Sequence, residues 1–243
     1  MKILVIGESC RDVFNYGECN RLCPEAPVPI FNLIETTENG GMALNVKNNI
    51  LALNVMTELI TNPNWQDISK TRFIDIRTNH MFMRLDCNDN AYKRYNIDNI
   101  KYDDYDAIVV SDYNKGFLTK EDIANIGSRH PCVFLDTKKC LGSWCENITY
   151  IKINEHEYEN NKEFINEKLE EKIITTLGPK GSVHQGIVYP VPKVEIKDVA
   201  GAGDSFIAGL VVKYIETSDI ISAIGFANIC ATQVVQKKGV NIV

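Results

Sequence analysis

The second half of the chain alternates short apolar runs with amphipathic ones, and no other feature constrains the fold as tightly. From Tyr105 onward, "DAIVVSDY", "PCVFLDTKK", "ITYIKIN" and "EEKIITTLGPKGS" each read as a strand that stops at a polar cluster. A run that is apolar at successive positions is hidden on both faces, as in a parallel sheet covered by helices. "LTKEDIANIGSRH" fits one covering helix, with Thr119 as N-cap and Glu121 and Asp122 in its first turn. "KILVIG" (Lys2 to Gly7) is a strand of the same kind, and "DIISAIGFANICATQVVQKK" reads as a closing helix. The expectation is an α/β fold with a mostly parallel central sheet. Ligands bind such sheets at the carboxyl ends of the strands. Those ends carry Asp112, Asp136, Asn154 and Thr176.

The first half reads differently. "PVPIFNLIETTEN" holds two prolines and partial alternation, which fits an edge strand exposed on one side. "GGMALNVKNNILAL" is a glycine-led helix, and "KTRFIDIRTNHMFMRLD" two strands around the turn "RTNH". These strands predict a small sheet acting as a lid, formed by segments at roughly 12–38 and 70–90 of a single domain spanning 1–243. Its open edge is a liability that proteins usually cover, and a homodimer through the lid is the simplest cover.

The chemistry concentrates in "DVAGAGDSFIAGL", Asp198 to Leu210. Four small residues, Ala200 to Gly203, precede an amphipathic run with helical spacing at Phe206, Leu210, Val211 and Tyr214. They lie at a helix N-terminus, where unpaired N–H groups and the dipole attract an anion. Gly201 and Gly203 let another molecule approach the main chain closely. Asp204 then stands beside that anion. Like charges repel, so a carboxylate there is a poor binding device and a sensible general base; the plainer alternative is a partner for the helix dipole. A dinucleotide fingerprint fails, because its third glycine position is Phe206. A P-loop fails as well: no G-x-x-x-x-G-K-[ST] occurs, and "GPKGS" only imitates one.

A formal net charge of −6 over 243 residues argues against a nucleic-acid binder. No apolar stretch approaches the roughly 18 residues of a membrane span. "MKILVIGES" is too short for a signal peptide, so a cytoplasmic protein is expected. The eight cysteines include no C-x-x-C pair and the four histidines are dispersed, so neither zinc nor a disulfide framework is expected.

Four motifs in one order then point to a family. "DVAGAGDSFIAG" resembles the D-T-x-G-A-G-D-[ST]-F signature of the ribokinase-like (PfkB) carbohydrate kinases. "GGMALN" resembles its G-G-x-x-x-N element, "NEHE" its N-x-x-E motif and "TLGPKG" its T-x-G-x-x-G nucleotide loop. "YGECNRLCPEAPVPIF", "MRLD", "VSDYNKG" and "FANICATQVVQKKG" resemble the branch that phosphorylates C1 of heptose 7-phosphate. Against that branch a βα unit is missing between Leu59 and Ser69, "GES" stands where G-D is usual, and "DTKK" where D-P-K-G is.

The resemblance implies a three-layer ribokinase-like sandwich, ATP and Mg²⁺ as cofactors, and a sugar or sugar phosphate as acceptor. Asp204 takes the hydroxyl proton, with Gly201, Ala202 and Gly203 forming the anion hole. Asn154 and Glu157 organise Mg²⁺ through water, while Thr176, Gly178, Gly181 and Asn228 line the nucleotide. Asp12, Gly40, Gly41 and Asn45 contact the sugar, and Asp198 matches a position that can hold a monovalent cation such as K⁺. Lys70, Arg72 and Arg84, with Lys115 a further option, are candidates for a substrate phosphate; solvated surface charge is the alternative for each. A non-catalytic sugar-phosphate or nucleotide binder derived from such a kinase is the competing function.

Overall fold

In the computed structural model, which describes residues 1–243, twelve strands form two sheets. The large sheet starts with β1 (Lys2–Gly7), which pairs in parallel with β4 (Met56–Ile60) and β7 (Ala107–Asp112). Strands β8 (Val133–Thr137), β9 (Tyr150–Asn154) and β10 (Ile173–Thr176) continue it in parallel. Antiparallel β11 (Ser182–His184) and β12 (Ile187–Tyr189) close one edge, giving the order β12-β11-β10-β9-β8-β7-β1-β4.

Successive side chains of these strands feed two cores. Ile3 and Val5 of β1 join α1 (Gly41–Ala52), α5 (Ala202–Thr217) and α6 (Ile220–Val234) on one face. Leu4 and Ile6 join α2 (Lys120–Arg129) and the short α4 (Glu167–Glu170) on the other, beside α3 (Glu155–Asn161). Each fully buried side chain of this size contributes roughly 1.5–3 kcal/mol, which is why the apolar runs hold the centre. The result is the expected three-layer sandwich. Thr119 caps α2 reciprocally: its hydroxyl accepts from Asp122 N at 3.1 Å, and the Asp122 carboxylate accepts from Thr119 N at 2.8 Å.

The small sheet has the order β3-β2-β5-β6, from β2 (Arg11–Glu18), β3 (Asn32–Asn39), β5 (Ser69–Asp75) and β6 (Met81–Cys87). Phe14, Tyr16 and Ile74 bury one side of its middle strands. The expected one-sided edge strand differs in detail, because β3 is exposed on both faces from Asn32 to Glu38. β4 ends the large sheet, and the chain reaches β5 through a single 3-10 turn at Trp65–Asp67 where the βα unit was expected.

Candidate active site

Two cavities meet at the first turn of α5. Gly201 precedes this turn in the left-handed region at φ 80°, and a Cβ there would lie 3.0 Å from both Asn45 Nδ2 and Val240 Cγ1. The larger cavity, about 570 Å³, is lined by Thr176, Gly178, Gly181, Ala202, Gly203 and Asn228. The smaller one, about 170 Å³, is lined by Asp12, Gly41, Asn45, Lys70, Arg72, Arg84, Gly201 and Asp204. Gly40 is set back from it, packed so that a Cβ would meet the Leu44 side chain.

Asp204 is buried at the junction. Its Oδ2 accepts from Asn45 Nδ2 at 2.7 Å and its Oδ1 from the Tyr113 hydroxyl at 3.3 Å. Burial pushes its carboxyl up to about 6; the Asn45 hydrogen bond opposes the rise and the nearby Asp136 adds to it. Asn45 is held by its own helix, since Asn49 one turn on donates to its carbonyl at 2.9 Å. Asn49 Oδ1 in turn accepts from Ser205 Oγ at 2.9 Å, which locks α1 to α5.

The turn expected to form an anion hole differs in one residue from expectation. The Ala202 amide donates to Val199 O at 3.3 Å because the chain turns tightly into the helix. Ser205 N bonds Gly201 O, so the amides of Gly201, Gly203 and Asp204 are the ones without a backbone acceptor.

Each cation of the small cavity already has a carboxylate. Arg72 pairs with Asp12, and Arg84 with Asp86 at 2.5 Å. Lys70 lies 3.7 Å from Asp89, which also pairs with Lys115. Lys70 is 8 % exposed and held in place, whereas the Arg84 side chain is 41 % exposed.

The pfkB family of carbohydrate kinases matches residues 31–243. The chain belongs to that family. It is 29% identical to the bifunctional protein HldE of Helicobacter pylori strain J99 over 98% of its own length. It is 27% identical to the bifunctional protein HldE of a Nitratiruptor species over the same share. The chain spans 63% and 62% of the length of those two relatives. The fold is that of ribokinase. The Thermotoga maritima ribokinase superposes with a TM-score of 0.70 at 18% identity, covering 98% of this chain and 94% of that one. The Arabidopsis thaliana ribokinase complexed with ribose and ATP gives 0.71 at 14%, covering 98% and 93%.

Besides Gly40 and Lys115, Asn154, Glu157 and Asp198 of this carbohydrate kinase lie outside both cavities. Asn154 and Glu157 form a capping box on α3, with Asn154 Oδ1 accepting from Glu157 N at 2.8 Å and Glu157 Oε2 from Asn154 N at 2.9 Å. Asp198 accepts from Ala200 N at 2.9 Å and Gly239 N at 3.1 Å, so each carboxylate oxygen already serves a backbone amide. Asn228 does line the large cavity, but its Nδ2 donates to Tyr189 O at 3.0 Å and fixes the loop after β12.

Glu157 nonetheless faces a cation position. Lys138 pairs with Glu157 and lies 3.9 Å from Asp136 Oδ1, a buried oxygen with no hydrogen-bond partner. Two hard carboxylates around one charge suit a largely hydrated Mg²⁺, which is seldom held by a full protein cage.

The departures from the branch pattern have structural counterparts. Glu8 is buried and accepts from the amides of Tyr113 at 2.8 Å, Lys115 at 3.0 Å and Phe117 at 3.4 Å, fixing the loop that carries Tyr113. Of the two lysines in "DTKK", Lys138 pairs with Glu157 and Lys139 with Asp112.

Tyr113 and Lys152 were missed by motif reading. The Tyr113 ring lies 5.6 Å from Lys70 Nζ and 5.7 Å from Lys138 Nζ, between the two halves of the site. Lys152 carried a usable signal: it is the one charged residue in the apolar strand "YIKIN", where burial has to be compensated.

Proposed function

We propose that this carbohydrate kinase transfers the γ-phosphoryl group of ATP to a sugar-phosphate hydroxyl, with O1 of heptose 7-phosphate the leading acceptor. The observation that carries the reading is the placement of Asp204. Its carboxylate is buried where a nucleotide-sized cavity meets a smaller polar one, and two hydrogen bonds aim it. In this reading ATP fills the large cavity and the sugar the small one. Asp12, Asn45 and the Gly41 backbone orient the acceptor hydroxyl toward Asp204, which removes its proton. The Gly203 and Asp204 amides hold the phosphoryl oxygens, since phosphoryl transfer is mainly positioning and charge stabilisation. Thr176, Gly178 and Gly181 shape the phosphate end of the nucleotide cavity. Mg²⁺, when bound, neutralises phosphate charge, and Asp136 and Glu157 are the residues that would hold its waters.

Lys70, Arg72 and Arg84 support a phosphorylated acceptor, because an anion entering a chain of net charge −6 needs local cations. The acceptor's identity rests on sequence resemblance to the heptose-phosphate branch. An ATP-consumption screen against heptose 7-phosphate, ribose and fructose tests it. Turnover restricted to an unphosphorylated sugar removes the heptose-phosphate assignment, and turnover with no sugar favours the non-catalytic binder.

The same reading places the protein in the cytoplasm as a homodimer joined through the small sheets. No helix is long and apolar enough to cross a membrane. Leu33, Ile34, Met81, Met83 and Leu85 are 47–58 % exposed on the two outer strands, an apolar surface with two open edges. Light scattering at micromolar concentration should give twice the chain mass, and Leu85→Glu should halve it. A monomer in both cases rejects the interface.

A further inference from the structure

A buried lysine stands against the phosphoryl position, and the mechanism above does not use it. Lys152, in β9, is 5 % exposed, and Asp136 on the adjacent β8 is 6 % exposed. Lys152 Nζ lies 2.7 Å from Asp136 Oδ2, its one hydrogen-bond acceptor in the structure. An ammonium carries three donors, so this pairing leaves donors unspent. The same Nζ lies over the first turn of α5: a Cβ added to Gly203 would come within 2.8 Å of it, the shortest contact at that glycine. Gly203 also lines the nucleotide cavity, so the ammonium stands behind the turn on which an incoming phosphate would rest.

Burying an ammonium is unfavourable, and a single carboxylate compensates it incompletely. Glycine at residue 203 makes room for the ammonium. It also leaves no side chain between the ammonium and the oxygens of a phosphoryl group resting on that turn.

We infer that Lys152 is a catalytic residue that donates a hydrogen bond to the transferring phosphoryl group. The inference rests on the proposed use of the α5 turn as the phosphoryl site. In the step, the bond from the acceptor oxygen to the γ-phosphorus forms while the bond from that phosphorus to the β–γ bridging oxygen breaks. The hydroxyl proton passes to Asp204 and the electron pair leaves with ADP. Lys152 keeps its protons throughout and acts by charge, together with the Gly203 and Asp204 amides. Asp136 is a positioning residue that holds the ammonium in place.

Lys152→Met should lower kcat by about a hundredfold or more, the scale for loss of one preorganised donor. The affinities for ATP and for the sugar acceptor should change less than about threefold, because the contact strengthens as charge develops. Affinity for ADP with aluminium fluoride and acceptor, which mimics the group in flight, should fall by a factor similar to kcat. Lys152→Arg should recover part of both. The single variant leaves Asp136 unpaired, so Lys152→Met/Asp136→Asn serves as a folding control and should melt near the parent temperature while staying inactive. Recovered turnover in that double variant overturns the inference, as does an unchanged aluminium fluoride affinity, or an equal loss of ATP binding and kcat. Asp204→Asn run alongside separates the two readings. An inactive Asp204→Asn with a fully active Lys152→Met sinks only the lysine; a fully active Asp204→Asn sinks the general-base reading.

Discussion

The two cavities that meet at α5 are built from different materials. The larger is lined mostly by small and apolar residues, Gly178, Gly181, Ala202 and Gly203 among them, with Lys180 and Lys193 its charged members. The smaller is walled by long charged side chains from the small sheet, and each is held by a neighbouring carboxylate. A backbone-built cavity recognises a shape that stays constant, such as a run of phosphates. A cavity built from side chains changes its preference with single substitutions. Within one family the first should be uniform and the second variable, and variants in the two should fail in different kinetic parameters.

The largest effect belongs to the junction. Asp204→Asn should lower kcat by at least about 10²-fold, the low end for general-base catalysis, while calorimetry shows ATP affinity unchanged. The same variant should gain stability at pH 7.5. The folded-state carboxyl is raised from 3.8 to about 6, so the contribution of Asp204 is most favourable below about pH 4 and is lost as pH rises through 6. Removing the buried charge should therefore raise stability by an amount on the order of 1 kcal/mol, seen as a higher Tm. A variant both inactive and less stable would mean that Asp204 is chiefly a structural partner of Asn45.

The second effect is confined to the small cavity. Lys70 is buried beside Asp89, so a phosphate reaching it gains a charge-assisted contact shielded from solvent. Such contacts contribute roughly 1.5–3 kcal/mol, hence Lys70→Ala should raise KM for a sugar phosphate about ten- to a hundredfold. KM for ATP should stay within about twofold. Equal losses for both substrates would erase the division between the cavities.

These differences also explain what could be read in the sequence. The α5 turn was legible because φ 80° and close backbone approach require glycine, so its chemistry is written in residue types at fixed spacing. The strands of the large sheet were legible because burial on both faces forces apolar runs. The charged half was only partly legible. Lys70, Arg72 and Arg84 stood out as cations, but pairing Arg72 with Asp12 depends on the register of β2 and β5, and pairing Lys70 with Asp89 on the turn after β6. Asp204 with Tyr113, and Lys152 with Asp136, come from separate strands and helices, which no local pattern connects.

A third effect is about tenfold. Asp204 works as a base only when ionised, and burial raises its pKa to about 6. Turnover should therefore fall as pH drops through 6 and lie about tenfold below its plateau at pH 5. Asn45 from α1, Tyr113 from the loop after β7, Asp136 from β8 and Lys152 from β9 are the groups that set this value. Asn45→Ala removes the hydrogen bond that favours the charged form, so it should move the acid limb upward. A limb near 4 in the parent enzyme would show that Asp204 is solvated during turnover and that the cavities do not close around it.

The smallest effect tests how far the charged cavity extends. Arg84 lines it, but its side chain is 41 % exposed and already bound to Asp86 through two hydrogen bonds of 2.7 and 2.5 Å. An exposed guanidinium engaged in this way is screened by water, and exposed pairs typically contribute about 0.2–1 kcal/mol. Moving it onto a substrate phosphate exchanges one such contact for another and gains little. Arg84→Ala should accordingly raise KM for a sugar phosphate less than about fivefold, and the increase should shrink further in 0.5 M salt. Lys70→Ala should keep most of its effect at the same salt, because its neighbourhood excludes water. If Arg84→Ala equals Lys70→Ala in size and salt response, the substrate phosphate sits at the outer rim beside β6 and the buried lysine serves the fold.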